Sequence, residues 1–339
     1  MADMVGIKDV ARRAGVSLGT VSNVINHPDK VSEETRLRVL AVIESLGYVR
    51  SESARQLRAG QSRIVALLLL DMGNPFFVEL TRGAERTARA AGLGVTVCNS
   101  AQSPLEEAEY LSLFAEQRVR GVLITPADPT GRNLEGFRRH NIPFVLVDRV
   151  GGGAGECSVS VDDVAGGALA ARHLVAAGHR SIAYVCGPEH LHQVRDRRAG
   201  ALAALAEAGL TPDALVDVPV DRLDVAAGRD AGSRLLGLAS RPTAVFCAND
   251  LLALGLLQTM FAAGVNIPGD LAIVGYDDIE FAAAAAVPLT SVRQPAAAMG
   301  AMAAQLLLEE TGPAADQHRH QRVVLQPELV VRSSSLTSY

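Results

Sequence analysis

Apolar positions in the first fifty residues recur at helical spacing, whereas in the remainder they come in short continuous runs. Ile7, Val10, Ala11 and Ala14 stand at i, i+3, i+4 and i+7, which predicts a first helix with one apolar stripe and with Lys8, Arg12 and Arg13 turned outward. Gly15 ends it, because glycine takes the positive φ of a C′ position without strain. Val16 and Ser17 then lead into a second helix, capped by the Ser17 hydroxyl. On that helix Val21, Val24 and Ile25 face inward, leaving Gly19, Ser22, Asn23 and Asn26 outward and Leu18 at the leading edge. After HPDKV, Ser32 is placed to cap a third helix, with Glu33 and Glu34 in its first turn, a stripe of Val39, Val42, Ile43 and Leu46, and Gly47 as its stop.

From Arg63 onward strand-like runs alternate with helical segments. IVALLLL precedes a helix over 75–91, GVTVCNS one over 104–117 and GVLITP one over 131–140, and PFVLVD closes a first half. SIAYVCG then precedes a helix over 193–208 and TAVFCAND one over 251–263, followed by the strand LAIVGYDD, the segment PLTSVRQP, a helix over 295–310 and a returning strand pair near VVLQPELVVR. Such near-continuous apolar runs suit parallel strands covered on both faces, so the expected body is α/β, with two doubly wound lobes meeting at the C-terminal ends of their strands.

Polar residues cluster where those ends fall. Asp71 and Asn74 follow the first strand, Asp148 and Arg149 follow PFVLV, Asn249 and Asp250 follow AVFCA, and Asp277 and Asp278 follow AIVGY. Arg195 and Arg197 enter the helix after SIAYVCG. Carboxylates, amide and guanidinium converging in one cleft suit a hydroxyl-rich ligand held by paired hydrogen bonds. For Asp148 and Asp277 a strand-end cap or an interlobe salt bridge is the alternative, and Asp250 and Asp278 fit loop support better than ligand contact.

The first two helices read as a helix-turn-helix whose small polar outer face suits a DNA major groove. An Asn there can bond a base edge, Leu18 can touch a thymine methyl, and Ser17, Thr20 and Ser22 can hold phosphates. Residues 1–60 carry net charge +2 and the remainder −7, a modestly positive head on an acidic body. The stretch YVRSESARQLRAGQ sets Leu57 between Arg55 and Arg58. It is either a plain linker whose leucine packs on a neighbour, or a hinge helix that inserts Leu57 into the minor groove with Arg58 along it.

At 339 residues two or three domains are expected. No run approaches the roughly 20 apolar residues of a membrane helix, and MADMVGIKDVARR has no secretory core, which points to a cytoplasmic protein without membrane contact. Cys98, Cys157, Cys186 and Cys247 form no CxxC pair, which argues against a zinc site and for buried free thiols. GGGAGECS at 151–158 lacks the lysine of a phosphate loop and reads as surface loop, and HLHQVRDRR reads as cleft rim rather than metal ligands. With no nucleophile or cofactor motif in view, neither catalysis nor cofactor nor metal is expected. Two rival readings stand beside a DNA-binding regulator. An exported sugar receptor needs an export signal and has no use for residues 5–61, and a sugar-converting enzyme needs a nucleophile or a cofactor loop.

IKDVARRAGVSLGTVSNVIN, VSEETRLRVLAVIESLGYV, ARQLRAG, NPFF, VDR, CAND and VGYDD occur in that order along nearly the whole chain. In them the chain resembles the lactose-repressor (LacI/GalR) family of bacterial transcription regulators. The resemblance implies an all-α helix-turn-helix DNA-binding domain at 1–50, a hinge helix and linker at 51–61, and an effector-binding and dimerisation domain at 62–339. That last domain is expected to be an α/β, two-lobed, periplasmic-binding-protein-like (type I) body with parallel sheets. Its first lobe is expected at about 62–161 plus 292–322, and its second at about 162–291 plus 323–339. The resemblance further implies that Leu18, Gly19 and Asn23 read bases, that Leu57 intercalates, and that Asn74, Phe76, Asp148, Arg149, Arg197, Asn249 and Asp277 contact an effector. A homodimer on near-palindromic operator DNA, with a carbohydrate effector, is the implied assembly. Three departures stand out: Gly6 where many relatives have Thr, Asn23 where many have Arg, and Leu223 where sugar-binding relatives often place an aromatic ring. The tail SSSLTSY carries no heptads, so no coiled-coil tetramer is expected.

Overall fold

The computed structural model describes residues 5–48, 62–151 and 155–336. Packing divides the chain into two units, Met1–Ser62 and Arg63–Tyr339.

The first unit holds the helices Ile7–Ala14, Leu18–Asn26 and Glu33–Leu46, with a 3-10 turn at Pro28–Lys30. Gly15 sits at φ 67°, and the Val16 N–H returns to the Ala11 carbonyl at 3.1 Å, so the helix stop forms as its residues dictate. Gly6 has no hydroxyl to cap with, but its own N–H donates to Asp9 Oδ2 at 3.0 Å, which makes the reverse half of a capping box. Ser32 differs from expectation: its hydroxyl donates to Thr35 Oγ1 and caps no backbone N–H. Val10, Ala11, Ala14, Val21, Val24 and Val39 form the small core.

Two six-stranded sheets build the second unit, with strands numbered in chain order. The first contains β1 (Ile64–Leu69), β2 (Gly94–Asn99), β3 (Gly121–Ile124), β4 (Phe144–Val147), β5 (Cys157–Val161) and β11 (Arg322–Leu325), in the order β11-β5-β4-β3-β1-β2, all parallel. The second contains β6 (Ile182–Cys186), β7 (Leu215–Pro219), β8 (Ala244–Cys247), β9 (Ala272–Asp277), β10 (Thr290–Arg293) and β12 (Glu328–Val330), in the order β12-β10-β9-β8-β6-β7. Only β12 runs antiparallel, on β10.

The chain crosses between the sheets three times, the second and third crossings falling just after the expected positions of about 292 and about 322. β10 keeps the second sheet through Arg293 and β11 keeps the first through Leu325, so the expected changes of lobe at 292 and 322 each fall inside a strand. The two strands of VVLQPELVVR therefore do not pair with each other, since β11 and β12 belong to different sheets.

Several elements escaped the hydrophobic pattern, among them β7, β5 and two helices. β5, CSVSV, opens inside what reads as a surface loop, yet all five of its residues are buried between β4 and β11. The helices Asp163–Ala176 and Val225–Leu236 are rich in Ala and Gly and show no stripe of large side chains. Their small residues serve close packing instead. A Cβ on Gly167 would meet the Arg197 carbonyl oxygen at 1.9 Å, and one on Gly200 would meet that of Val164 at 1.9 Å, so Asp163–Ala176 and His192–Glu207 cross backbone to backbone. Gly83 and Gly300 do the same for Pro75–Ala90 and Ala296–Thr311, as do Gly228 and Gly255 for Val225–Leu236 and Asp250–Ala262. Among the described residues no helix is long and apolar enough to cross a membrane.

Candidate functional site

Two places gather the polar residues singled out from sequence. In the helix-turn-helix, Ser17 caps the second helix by accepting from the Thr20 N–H at 3.0 Å, and its hydroxyl also pairs with that of Thr20 at 2.9 Å. Val21 and Val24 are buried, which turns Leu18, 45% exposed, with Gly19, Ser22, Asn23 and Asn26 onto the other side. Asn26 folds its amide back onto the Ser22 carbonyl at 2.8 Å, so it braces the end of this face. Leu57 and Arg58 lie outside the described residues.

The second place is the cleft between the two sheets. Asp148 follows β4 of the first lobe at φ 57°, and Gln193 of the second lobe donates its side-chain amide to both the Asp148 carbonyl, 3.0 Å, and Oδ2, 2.6 Å. Asp277 ends β9 of the second lobe at φ 109°, and Asn74 of the first lobe donates to its Oδ2 at 2.8 Å. Each lobe thus presents a carboxylate, and each carboxylate is held by an amide from the other lobe. Gln294, in the second crossing, donates to the remaining Asp277 oxygen at 2.7 Å.

Arg197 lies buried beside them. Its Nε donates to Asp163 Oδ1 at 2.8 Å, its Nη1 to the Ala248 carbonyl at 2.6 Å, and its guanidinium stacks 3.6 Å from the centre of the Tyr276 ring. Burial pushes Asp148 up to about 8, reinforced by the nearby Asp163 carboxylate and opposed by Arg197. Burial also raises Asp277, to about 6, against the pull of Arg197 and of the Asn74 and Gln294 amides. Four more polar atoms around the strand ends are buried with no protein hydrogen-bond partner: Thr125 Oγ1, Ser160 Oγ, His192 Nε2 and Gln294 Oε1, together with Asp148 Oδ1. Unpaired buried donors and acceptors are costly, so such a concentration marks a site built for something else to pair with.

The remaining expected residues are placed differently. Asn249 spends both ends of its amide internally, capping Asp250–Ala262 through the Leu252 N–H at 2.9 Å and donating to the Leu223 carbonyl at 3.0 Å. Arg149 turns back to its own lobe and donates to the carbonyls of Asp128, 3.0 Å, and Pro129, 3.2 Å. Arg195 is exposed and pairs with His192 at 2.7 Å, on the face of its helix away from buried Arg197. Phe76 is buried against Phe77 and forms one wall of a groove of about 610 Å³ that runs from Asp277 past Gln294 and Pro295. Asp250 accepts from the Ile279 N–H and the Ser291 hydroxyl, and Asp278 pairs with Arg293 and Arg332, so both support loops as expected. Gln193 and Gln294 were missed from sequence, because an uncharged amide inside a helix or a crossing segment carries no pattern; Asp163 lay in a helix that was itself unseen.

The comparisons with known proteins agree with this architecture. Residues 6–51 match the profile of bacterial regulatory proteins of the lacI family, and residues 171–335 that of a periplasmic binding protein-like domain. The HTH-type transcriptional repressor PurR of Photobacterium profundum is 35% identical over 335 residues, covering 98% of both chains. The ribose operon repressor of Escherichia coli K12 is 35% identical over 334 residues, covering 98% of this chain and 100% of that one. Among solved structures, the lac repressor dimer bound to operator and an anti-inducer superposes with TM-score 0.86 at 27% identity, over 98% of this chain and 99% of that one. The transcriptional regulator CelR in complex with cellobiose superposes with TM-score 0.73 at 32% identity, over 98% of this chain and 100% of that one. With relatives at this identity along its whole length, a helix-turn-helix head and a two-sheet α/β body, the chain belongs to the lacI family of bacterial regulatory proteins and is a DNA-binding transcriptional regulator rather than an enzyme.

Proposed function

We propose that the chain acts in the cytoplasm as a homodimeric repressor whose hold on near-palindromic operator DNA is set by a small carbohydrate bound between the lobes. The observation that carries this reading is the reciprocal pair of bonds from Asn74 to Asp277 and from Gln193 to Asp148. A ligand that offers hydroxyls to those carboxylates competes with the amides that tie lobe to lobe. Ligand occupancy and lobe arrangement are then one equilibrium, which is the requirement for coupling a cleft to a separate DNA-binding head.

Carboxylates flanked by Thr125, Ser160 and Gln294 suit a polyhydroxylated ligand, and relatives support the class: one is the ribose operon repressor, one solved regulator holds cellobiose and another, from Enterococcus faecium, holds ribose. In this reading Asn74, Asp148 and Asp277 make exchangeable contacts and Arg197 offers its remaining N–H groups, while Phe76, Arg149, Arg195 and Asn249 shape the walls. At the head, Leu18, Gly19 and Asn23 read bases and Ser17, Thr20 and Ser22 hold phosphates. The wedge role of Leu57 beside Arg58 rests on the resemblance of ARQLRAG alone. Phe261 and Phe281, 74% and 55% exposed on the second lobe, supply apolar surface for a second copy to cover.

Thermal-shift screening over pentoses, disaccharides and nucleobases, followed by fluorescence anisotropy on operator selected from random DNA, tests this. A stabilising sugar is expected to change operator affinity at least tenfold, and Asp277→Asn is expected to keep operator binding while losing that response. A ligand whose affinity is the same in Asp148→Asn and Asp277→Asn would place the effector elsewhere.

A further inference from the structure

Far from the cleft, at the opposite end of the first sheet, Cys157 opens β5, His318 and His320 stand just before β11, and Glu310 lies in the last turn of Ala296–Thr311. One donor atom from each of the four lies within 4.8 Å of every other. Cys157 Sγ is 3.1 Å from His318 Nε2 and 3.7 Å from His320 Nδ1. Two ligands on a tetrahedral zinc ion, with a zinc–sulfur bond of about 2.3 Å and a zinc–nitrogen bond of about 2.0–2.1 Å, stand about 3.6 Å apart, which falls within that observed range.

We propose that Cys157, Glu310, His318 and His320 form a binding site for one divalent transition-metal ion, with Zn²⁺ the best match to the donors. A thiolate and a carboxylate supply two negative charges that a dication cancels, and two neutral imidazoles complete a tetrahedral set of one sulfur, two nitrogens and one oxygen. A second observation points the same way. Glu310 Oε2 is buried with no hydrogen-bond partner, an acceptor left for a cation. The outer nitrogen of His318 lies 3.9 Å from Glu309 Oε2, longer than a hydrogen bond, so Glu309 adds negative charge near the site without holding the ring. The Gln321 N–H donates to Cys157 Sγ at 3.4 Å, as backbone amides do to bound thiolates. Binding expels the thiol proton of Cys157 to solvent and leaves the ligands otherwise unchanged.

Cys157 stands more than 150 residues before the other three ligands, which fall close together at 310, 318 and 320, so no CxxC or HxxxH spacing announces the set. A bound ion fastens the end of helix Ala296–Thr311 and the edge strand β11 that follows it to β5, from which the second lobe separates them in sequence.

The test is titration of the chelator-stripped full chain with Co²⁺, then Zn²⁺. One equivalent of Co²⁺ is expected to give the visible absorption of a tetrahedral site with a thiolate-to-cobalt charge-transfer band, and one equivalent of Zn²⁺ to abolish both and raise the melting temperature. Cys157→Ser is expected to remove the charge-transfer band. His320→Ala, at an exposed position that leaves the fold intact, is expected to weaken Zn²⁺ binding more than tenfold. Binding without one-to-one stoichiometry, absence of the charge-transfer band, or equal Zn²⁺ affinity in His320→Ala would overturn the proposal, whether or not Cys157→Ser folds.

Discussion

Asn74 caps the helix Pro75–Ala90 with its side-chain oxygen, accepting from the Phe76 N–H at 3.0 Å, while its side-chain nitrogen donates to Asp277 of the other lobe at 2.8 Å. One amide thus serves local structure at one end and lobe closure at the other. Asn74→Asp separates the two: the cap survives, whereas a carboxylate now faces a carboxylate across the cleft. Loss of a hydrogen bond to a charged acceptor costs about 1.5–3 kcal/mol, so the closed arrangement is expected to become roughly 10- to 150-fold less favoured with little change in helix stability. Small-angle scattering beside a denaturation curve measures both, and an unchanged radius of gyration would count against the latch.

Protonation gives a second handle. In the unfolded chain Asp148 and Asp277 ionise near their ordinary value, but burial holds them up at about 8 and about 6 in the folded one. A raised folded pKa means the native state binds the proton more tightly, so their contribution to stability is complete below about pH 4. It is lost as pH rises to about 6 for Asp277 and to about 8 for Asp148. Asp148→Asn, which stays neutral and can still accept from Gln193, is expected to flatten the fall in urea midpoint between about pH 4 and pH 8. Equal slopes in variant and parent would assign the pH dependence to other groups.

Arg197 and Asp163 are both nearly inaccessible, and removing one partner of such a pair strands the other as a buried charge. Arg197→Ala is expected to cost about 3–5 kcal/mol of folding stability. Adding Asp163→Asn should restore part of it, as read from a double-mutant cycle in urea; strictly additive losses would mean that the pair does not interact.

Two glycines make a paired test of helix crossing. A Cβ on Gly83 would stand 1.9 Å from the Ala297 carbonyl oxygen, whereas one on Gly136, within the helix Glu135–Arg139, meets nothing within 4 Å. Gly83→Ala is expected to destabilise by about 1–3 kcal/mol or more. Gly136→Ala is expected to stabilise by about 0.4–1 kcal/mol. Thermal melts of the two variants rank them, and the reverse order would contradict the packing.

At the head, Asn23 faces outward with Leu18 and Gly19. Asn pairs with adenine through N6 and N7, and Arg with guanine through O6 and N7, so Asn23→Arg is expected to exchange A for G at one position of each half-site. Sequencing of DNA selected by the two proteins reads this directly, and the same consensus from both would remove Asn23 from base recognition.

What the sequence disclosed, and what it hid, divides by physical cause. Val10, Val21 and Val24 show a helix pair because large apolar side chains on a narrow stripe leave a period; the strands IVALLLL and LAIVGYDD show themselves because both faces are covered. Asp163–Ala176 hides because glycine and alanine let backbones touch without leaving any such period. β5 hides because Ser158 and Ser160 are polar residues buried in a strand. In the cleft, charged Asp148, Asp277 and Arg197 stood out, but Gln193, Gln294 and the Asp163 that neutralises Arg197 are defined only by what lies opposite them. Arg149 and Arg195 looked like equal partners of Arg197, yet which way each turns depends on loops the sequence does not place.

The order in which the chain leaves the ribosome bears on the crossings between lobes. The first lobe is begun early, with β5 ending at Val161, but the helix that covers β3, β4 and β5, Ala296–Thr311, and the edge strand β11 are made only after most of the second lobe. At about 5–20 residues per second, that delay lasts roughly ten to thirty seconds. Throughout it the β3, β4 and β5 part of one apolar face of the first sheet lacks its covering helix, although Pro75–Ala90 already lies against β1 and β2. A premature stop between residues 162 and 311 would freeze that state, so nonsense fragments of this length are destined for chaperones and proteases rather than for DNA, and the lobe started first is among the last to be finished.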